Sequence, residues 1–236
     1  MKSFYYYFRE YIFSNVKELP RDSVIIIYGS VAYGKFSSDL DVAFILEKYS
    51  MKLYNEIERA VINFQKDNDM IIDVEVPYKN KLVYTFTEID NALNYTMFQK
   101  GKNVYNITPI IVSEDYFSCE EMKKRLILNI LTTYSKTING DESLIFKYKK
   151  LAWKNIIRIV SSYNSIRKIN IDEFIELLYF DNKKKVFGED YLGYKKSNPK
   201  LRKHLEKELI STLQELKKDK YVLENDFKNY TICRWW

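Results

Sequence analysis

The chain has 236 residues, of which 46 % are hydrophobic and 30 % charged, and it carries a formal net charge of +6. This composition predicts a globular protein with enough length for a proper core, in one large domain or two small ones. No stretch approaches the roughly 20 apolar residues of a membrane span, so we expect no membrane partner.

The cysteines, Cys119 and Cys233, lie far apart and no secretory signal precedes them, which favours the reducing cytoplasm. The single histidine, His204, excludes a multi-histidine zinc site, and its basic, polar neighbours predict an exposed side chain.

The first half of the chain alternates helical and strand patterns. It predicts a helix over residues 3–18, a buried strand over 24–28, a glycine turn, a second strand over 39–46, a helix over 51–64 and a third strand over 70–76. Residues 80–84 extend the sheet, Thr87 caps a helix that reaches Lys100, and Pro109 restricts a strand over 103–112 to an edge or a bulge. These elements predict a small mixed β-sheet with flanking helices.

From Ser118 onward the patterns are helical. They predict helices over residues 118–134, 143–163, 170–179 and 199–219, with a break at 139–141 and a basic loop at 183–188. We therefore predict an α+β fold in which a sheet-containing domain at residues 1–117 is followed by a C-terminal helical domain at residues 118–236.

The stretch at residues 23–46 carries the chemistry. Gly29-Ser30 ends a buried strand where the backbone must turn, and a short helix over residues 30–34 would point its first N–H groups back at the strand edge, which outlines a phosphate site. Asp39 and Asp41 lie two residues apart at the start of the next strand, so both project from one face. Two adjacent carboxylates repel each other, whereas Mg²⁺ binds such oxygens together with substrate phosphates. The pattern predicts a Mg²⁺ site beside a phosphate-binding turn.

A Gly-Ser pair followed, after eight residues, by Asp-hydrophobic-Asp-hydrophobic resembles the signature of the DNA polymerase β-like nucleotidyltransferase superfamily. Val74-Glu75-Val76 and the segment at residues 109–112 are similar to the kanamycin/aminoglycoside nucleotidyltransferases of that superfamily. The resemblance implies a nucleotidyltransferase domain at residues 1–117, a two-metal Mg²⁺ site and an NTP co-substrate, with ATP favoured.

The resemblance also implies a third metal-binding carboxylate from a neighbouring strand. Asp73 and Glu75 share one face of the strand predicted over residues 70–76, and the pattern alone does not decide between them. The similarity of Val74-Glu75-Val76 to the aminoglycoside enzymes favours Glu75, with Asp73 as the alternative.

Lysines are the further candidates for phosphate contacts. Lys35 follows the glycine turn, and Lys149 and Lys150 lie on the long helix predicted over residues 143–163. In the aminoglycoside enzymes this helix carries a catalytic glutamate, but Lys147 stands at the matching position here. The base is then a metal-bound carboxylate, or Asp141 or Glu142 from the preceding turn, or the acceptor is of another kind.

The leading hypothesis is an enzyme that transfers a nucleoside monophosphate from an NTP to a hydroxyl of a small molecule such as an aminoglycoside antibiotic, releasing pyrophosphate. A positive net charge and the missing glutamate keep open a toxin-like enzyme that acts on tRNA or protein. A catalytically idle nucleotide-binding protein is the third alternative. RNA is a possible partner but is not favoured, and the sequence does not determine the oligomeric state.

Overall fold

The computed structural model describes residues 3–36, 39–72, 82–94, 120–163, 166–176 and 199–236. Within these ranges the chain forms eight helices, a mixed four-stranded sheet and an antiparallel three-stranded sheet. The prediction of an α+β fold with a small mixed sheet is confirmed. Asp73, Glu75, the strand predicted over 103–112 and the basic loop at 183–188 lie outside the described residues.

The strand predicted over residues 70–76 lies mostly outside the described residues, and its described part, residues 70–72, is not in a strand. Seven elements are described in the first half. They are α1 (Phe4–Asn15), β1 (Val24–Tyr28), α2 (Gly29–Ala32), β2 (Asp41–Leu46), α3 (Met51–Asp67), β3 (Val83–Thr85) and α4 (Phe86–Leu93). The second half contains α5 (Glu120–Thr132), β4 (Ser135–Asn139), α6 (Glu142–Tyr163), β5 (Lys168–Asn170), α7 (Ile171–Ile175), α8 (Pro199–Lys218), β6 (Val222–Asp226) and β7 (Asn229–Ile232).

The mixed sheet has the strand order β3-β2-β1-β4. β1 is antiparallel to both β2 and β4, whereas β2 and β3 run parallel. Every residue of β1 is buried, as expected for a β-branched strand that is covered on both faces. β4 comes from beyond residue 118, so the sheet takes strands from both sides of the predicted domain boundary.

Two hydrophobic cores cover the two faces of this sheet. Ile25 and Ile27 face a core that is closed by α1 and α3, where Phe64 packs against four aromatic rings of α1. Val24, Ile26 and Tyr28 face the other core, which is built with α4, α5, α6, α7 and α8. The sheet is therefore the middle layer of three.

The C-terminal half is not purely helical. β5, β6 and β7 form the antiparallel sheet with the order β5-β7-β6, and Val222, Tyr230 and Ile232 turn buried side chains toward the second core. Asn170 caps α7 by accepting from the N–H groups of Asp172 and Glu173, at the start of the helix predicted over residues 170–179, whose last three residues lie outside those described. The strands beside it were not predicted, because each has only three to five residues and most of their side chains are polar.

The cap of α4 lies two residues before the predicted one. Thr85, rather than Thr87, accepts from the N–H of Glu88, and the Glu88 carboxylate accepts in return from the N–H of Thr85 at 2.7 Å. This reciprocal pair is a capping box, which satisfies two donors at the start of the helix.

We therefore expect Thr85→Ala to lower the free energy of unfolding by about 1 kcal/mol, the usual effect of losing an N-cap side chain. Thr87→Ala is the matched control: the same atoms are removed from an exposed position inside the helix, and little change is expected. Urea unfolding of both variants measures the difference, and equal stabilities would contradict the assignment of the cap.

Among the described residues, no helix is long and apolar enough to cross a membrane.

Candidate functional site

The register of the central sheet places the glycine turn beside the acidic pair. Tyr28, the last residue of β1, lies opposite Asp41, the first residue of β2, so Gly29 leaves the sheet next to the Asp41 side chain. Gly29 has a φ of +69°, and a Cβ built on it would lie 2.1 Å from Asp41 Oδ2. The turn and the carboxylate therefore pack so closely that a side chain at position 29 would displace one of them.

The two aspartates sit at the edge of the face that the second half of the chain covers. Asp41 lies opposite Tyr28, whose side chain belongs to the core built with α5 and α6, and directly opposed residues share one face. Asp39 precedes β2 by two residues, and both carboxylates belong to partly exposed residues. No group of three metal-binding side chains occurs among the described residues. The third-ligand candidates Glu75 and Asp73 lie outside those residues, so the choice between them stays a prediction.

The helix after the turn is shorter than predicted. α2 is a single turn, Gly29–Ala32, and because it is so short its helix dipole contributes little. Ser30 in this turn is partly exposed. What the turn offers to an anion is the set of backbone N–H groups that begin it, together with the Ser30 hydroxyl. The turn is held from α1, since the Tyr5 hydroxyl donates to the Val31 carbonyl at 3.0 Å.

β4 forms the other side of the turn, and this strand was not predicted from the sequence. Ser135 lies opposite Tyr28 on the side away from Asp41, and its buried hydroxyl has no hydrogen-bond partner among the described residues. Lys136, which alternates to the other face, places its ammonium 4.1 Å from the centre of the Tyr5 ring. The segment alternates polar and apolar residues too weakly to be recognised as a strand.

A row of rings connects the turn to the helical half. The Tyr33 ring stacks on Tyr134 with centroids 4.9 Å apart, and the rings of Tyr134 and His204 of α8 form a T-shaped pair with centroids 5.3 Å apart. The Lys200 ammonium at the start of α8 donates to the Tyr33 carbonyl at 3.4 Å. The predicted exposure of His204 is wrong: the residue is partly buried and its Nε2 atom is enclosed. Its basic neighbours on α8 gave no sign of this, because burial comes from α5 and α6.

The three candidate lysines differ in their surroundings. Lys35 is exposed in the loop after the turn. Burial lowers the pKa of the Lys149 ammonium, while Glu208 and Glu142 raise it. The Lys150 ammonium pairs with Glu215 at 3.2 Å and also donates to the Ser211 hydroxyl, contacts that a phosphate would have to replace. Lys149 is therefore the stronger candidate for a phosphate contact.

Asp141 lies at the far end of the sheet and cannot serve this site as a base. Its carboxylate accepts from the N–H groups of Ser143 at 2.8 Å and Leu144 at 3.2 Å, which caps α6 and lowers the pKa of the carboxyl, the Ser143 hydroxyl contributing most. It also lines a groove of about 670 Å³ with Ser23 and Val24, at the opposite end of β1 from Gly29. This groove is thus remote from the acidic pair.

His204 makes stability depend on pH in a predictable direction. Burial and the nearby Lys149 and Lys207 lower its pKa, against the opposing effects of Glu208 and of a hydrogen bond to the Thr132 backbone. The folded state therefore favours the neutral imidazole. We compare the free energy of unfolding of the wild type with that of His204→Gln. The difference should be constant above the ordinary histidine pKa of about 6.5, and the wild type should lose stability relative to the variant as the pH drops below it. Urea unfolding of both proteins between pH 5 and 8 measures this, and a difference in stability that does not change with pH would contradict it.

Comparison with known proteins gives no family for this chain: no family model, no curated protein and no solved structure matches it.

Proposed function

We propose that the protein is a Mg²⁺-dependent nucleotidyltransferase that moves a nucleoside monophosphate from an NTP to a hydroxyl acceptor and releases pyrophosphate. The observation that carries the proposal is the close packing of Gly29 on the Asp41 carboxylate. A backbone turn that can hold phosphates and a carboxylate that can hold Mg²⁺ occur there side by side, as nucleotide transfer requires. The resemblance of this stretch to the DNA polymerase β-like superfamily points the same way.

Each residue then has a separate task. Asp39 and Asp41, with Glu75 or Asp73 as the third carboxylate, would hold Mg²⁺, which neutralises charge on the α-phosphate and on the attacking oxygen. The backbone at Gly29 and Ser30 would bind phosphate oxygens, and Lys149 would add a positive charge from α6. Such positioning provides most of the catalysis in phosphoryl transfer.

The acceptor is the less constrained part of the proposal. A small molecule with several hydroxyls, such as an aminoglycoside, follows from the resemblance alone. In the described part of the chain, Lys147 stands exposed where the resembled enzymes carry a glutamate, and Asp141 and Glu142 lie at the start of α6, at the far end of the sheet. A carboxylate of the metal site is therefore the base that we assign to the acceptor hydroxyl.

The proposal is tested by incubating the protein with α-³²P-labelled NTPs and Mg²⁺ and following the label. One set of reactions contains a panel of aminoglycosides and lincosamides, and another contains tRNA or a cell extract. Label on a small molecule supports the leading acceptor class. Label on RNA or on a protein band would instead show that the acceptor is a macromolecule. If no label is transferred and NTP binds equally well without Mg²⁺, the enzymatic function is wrong and a nucleotide-binding protein remains.

A further inference from the structure

The small antiparallel sheet has a polar face that points away from the second core. Lys168 lies opposite Thr231, and Asn170 lies opposite Asn229, and directly opposed residues share a face. Between the last two positions of β7 that these pairs use, Tyr230 is buried and belongs to the second core. Because side chains alternate along a strand, the four polar residues lie together on the outer face.

A groove of about 490 Å³ runs over this face, a size that suits a small-molecule ligand. Asn225 and Asp226 of β6 line it together with residues of β5 and β7, and Glu173 of α7 joins them. The charged side chains of the lining are Lys168, Asp226 and Glu173, so both signs of charge are present. This mixture favours an uncharged ligand over a polyanion or a polycation.

The asparagine amides of the groove are held in fixed orientations. Asn170 Oδ1 accepts from two N–H groups at the start of α7, and Nδ2 of the same residue donates to Asn229 Oδ1 at 3.0 Å. Asn229 Nδ2 donates in turn to the Asp226 carboxylate. On β6, Asn225 Nδ2 donates to Thr231 Oγ1 at 2.8 Å. A ligand therefore meets amides that are already positioned, which lowers the cost of ordering them on binding.

These bonds use only part of the hydrogen-bonding capacity of the groove. A side-chain amide has two N–H donors and an oxygen that accepts twice. Within the described part of the chain, Asn170 keeps one N–H, Asn225 keeps one N–H and its whole oxygen, and Asp226 Oδ2 accepts no hydrogen bond. Donors and acceptors therefore occur side by side. A hydroxyl both donates and accepts, so a ligand that carries several hydroxyls matches this surface.

The hairpin that carries much of the groove is anchored, and an apolar side chain lies on the same face. Lys228, in the turn between β6 and β7, pairs with Asp172 of α7 at 3.1 Å and with Glu206 of α8 at 2.8 Å. On β6, Leu223 lies opposite Thr231, and 58 % of its surface is exposed. A ligand with apolar C–H groups beside its hydroxyls finds both kinds of contact here.

We propose that this groove binds an uncharged saccharide. Its hydroxyls bond to the amides of Asn170 and Asn225 and to the Asp226 carboxylate, and its ring C–H groups pack on Leu223. A sugar ring combines hydroxyl edges with apolar faces, so it uses both kinds of contact, whereas a polyanion would meet two carboxylates. The groove lies on a different sheet from the acidic pair, so saccharide binding requires neither an NTP nor Mg²⁺.

The test follows the asparagine side-chain amide signals of the ¹⁵N-labelled full-length protein by NMR. The probes are uncharged trisaccharides of gluco, galacto, manno and xylo configuration, added without NTP or Mg²⁺, and the acyclic polyol sorbitol is the control. We expect at least one trisaccharide to shift the signals of Asn170, Asn225 and Asn229 saturably, and sorbitol to leave them in place. The affinity should not change when the salt concentration is raised to about 0.5 M, because an uncharged ligand is not screened.

Three outcomes would overturn the saccharide site. The first is that no trisaccharide shifts these signals, and the second is that sorbitol shifts them equally. The third is an affinity that falls with salt, which indicates a charged ligand.

Two variants and a matched control locate the binding by calorimetry with the trisaccharide that shifts the signals. Asn225→Ala removes an amide from the groove, and Thr231→Val removes the hydroxyl that positions this amide while keeping a β-branched residue in β7. Each should weaken binding about 5-fold or more, as for the loss of one hydrogen bond. Asn15→Ala removes an exposed amide at the end of α1 and should bind as the wild type does. Equal binding by Asn225→Ala, Thr231→Val and Asn15→Ala would place the saccharide elsewhere and contradict the assignment.

Discussion

Replacing Asp41 with asparagine is expected to abolish Mg²⁺-dependent nucleotide transfer while leaving the fold intact. Asparagine keeps the shape of the side chain beside Gly29, so the packing of the turn is preserved. The change removes one of the charges that hold the metal, and because metal-ion stabilisation of the transition state contributes several kcal/mol, we expect transfer to fall by about 100-fold or more. Label transfer at saturating NTP measures the effect, and circular dichroism verifies the fold.

The stability of this variant gives a second, independent readout. With Mg²⁺ and NTP, the wild-type melting temperature should rise and that of the variant should rise much less, because a ligand stabilises the state that binds it. Asp69→Asn is the matched control, in a turn after α3 whose positive φ of 51° suits asparagine. An active variant, or one whose melting temperature rises with Mg²⁺ and NTP as the wild type's does, would remove Asp41 from the metal site.

The long elements could be predicted from the sequence because their patterns are local. The predicted helix over residues 143–163 differs from α6 by one residue, and the predicted strand over 24–28 coincides with β1. Apolar periodicity and β-branched runs determine such elements without reference to the rest of the chain. The start of α4 was misplaced because Thr85 and Thr87 are both plausible caps, and the capping residue depends on where β3 ends.

The short strands could not be predicted, because their stability comes from pairing. β4 has five partly buried residues, and it forms because its backbone completes the edge of β1 from 107 residues further along the chain, counting from Tyr28 to Ser135. The sequence of β4 contains no apolar alternation that would require this. The small sheet of β5, β6 and β7 was missed for the same reason.

The same distinction between local and long-range determinants applies to the candidate site. Gly29 and Asp41 could be paired from the sequence, since both flank one strand connection, and the antiparallel register between Tyr28 and Asp41 is consistent with that pairing. His204 could not be identified, because its environment combines α5, α6 and α8. A lone histidine in a basic segment has the same local sequence whether it is exposed or enclosed.

Replacing Gly29 with alanine should reduce both stability and transfer, and it tests the contact that carries the proposed function. Alanine at a φ of +69° pays the left-handed penalty of roughly 1–2 kcal/mol. In addition, its Cβ would lie 2.1 Å from Asp41 Oδ2, so the carboxylate or the turn must move. Since a displacement of about 1 Å in a catalytic group can lower the rate roughly 100-fold, we expect a loss of transfer well beyond the loss of stability.

Gly34→Ala separates strain from contact. Gly34 also has a positive φ, +93°, but a Cβ there meets no atom within 4 Å. Both variants therefore have a strained backbone, and only Gly29→Ala displaces Asp41. We expect urea unfolding to show a loss of stability in both variants, and label transfer to fall steeply in Gly29→Ala alone. If the two variants lose activity equally, the turn matters only through its backbone conformation. Asp41 would then have no need to sit against Gly29, and the adjacency on which the proposed metal and phosphate sites depend would lose its functional meaning.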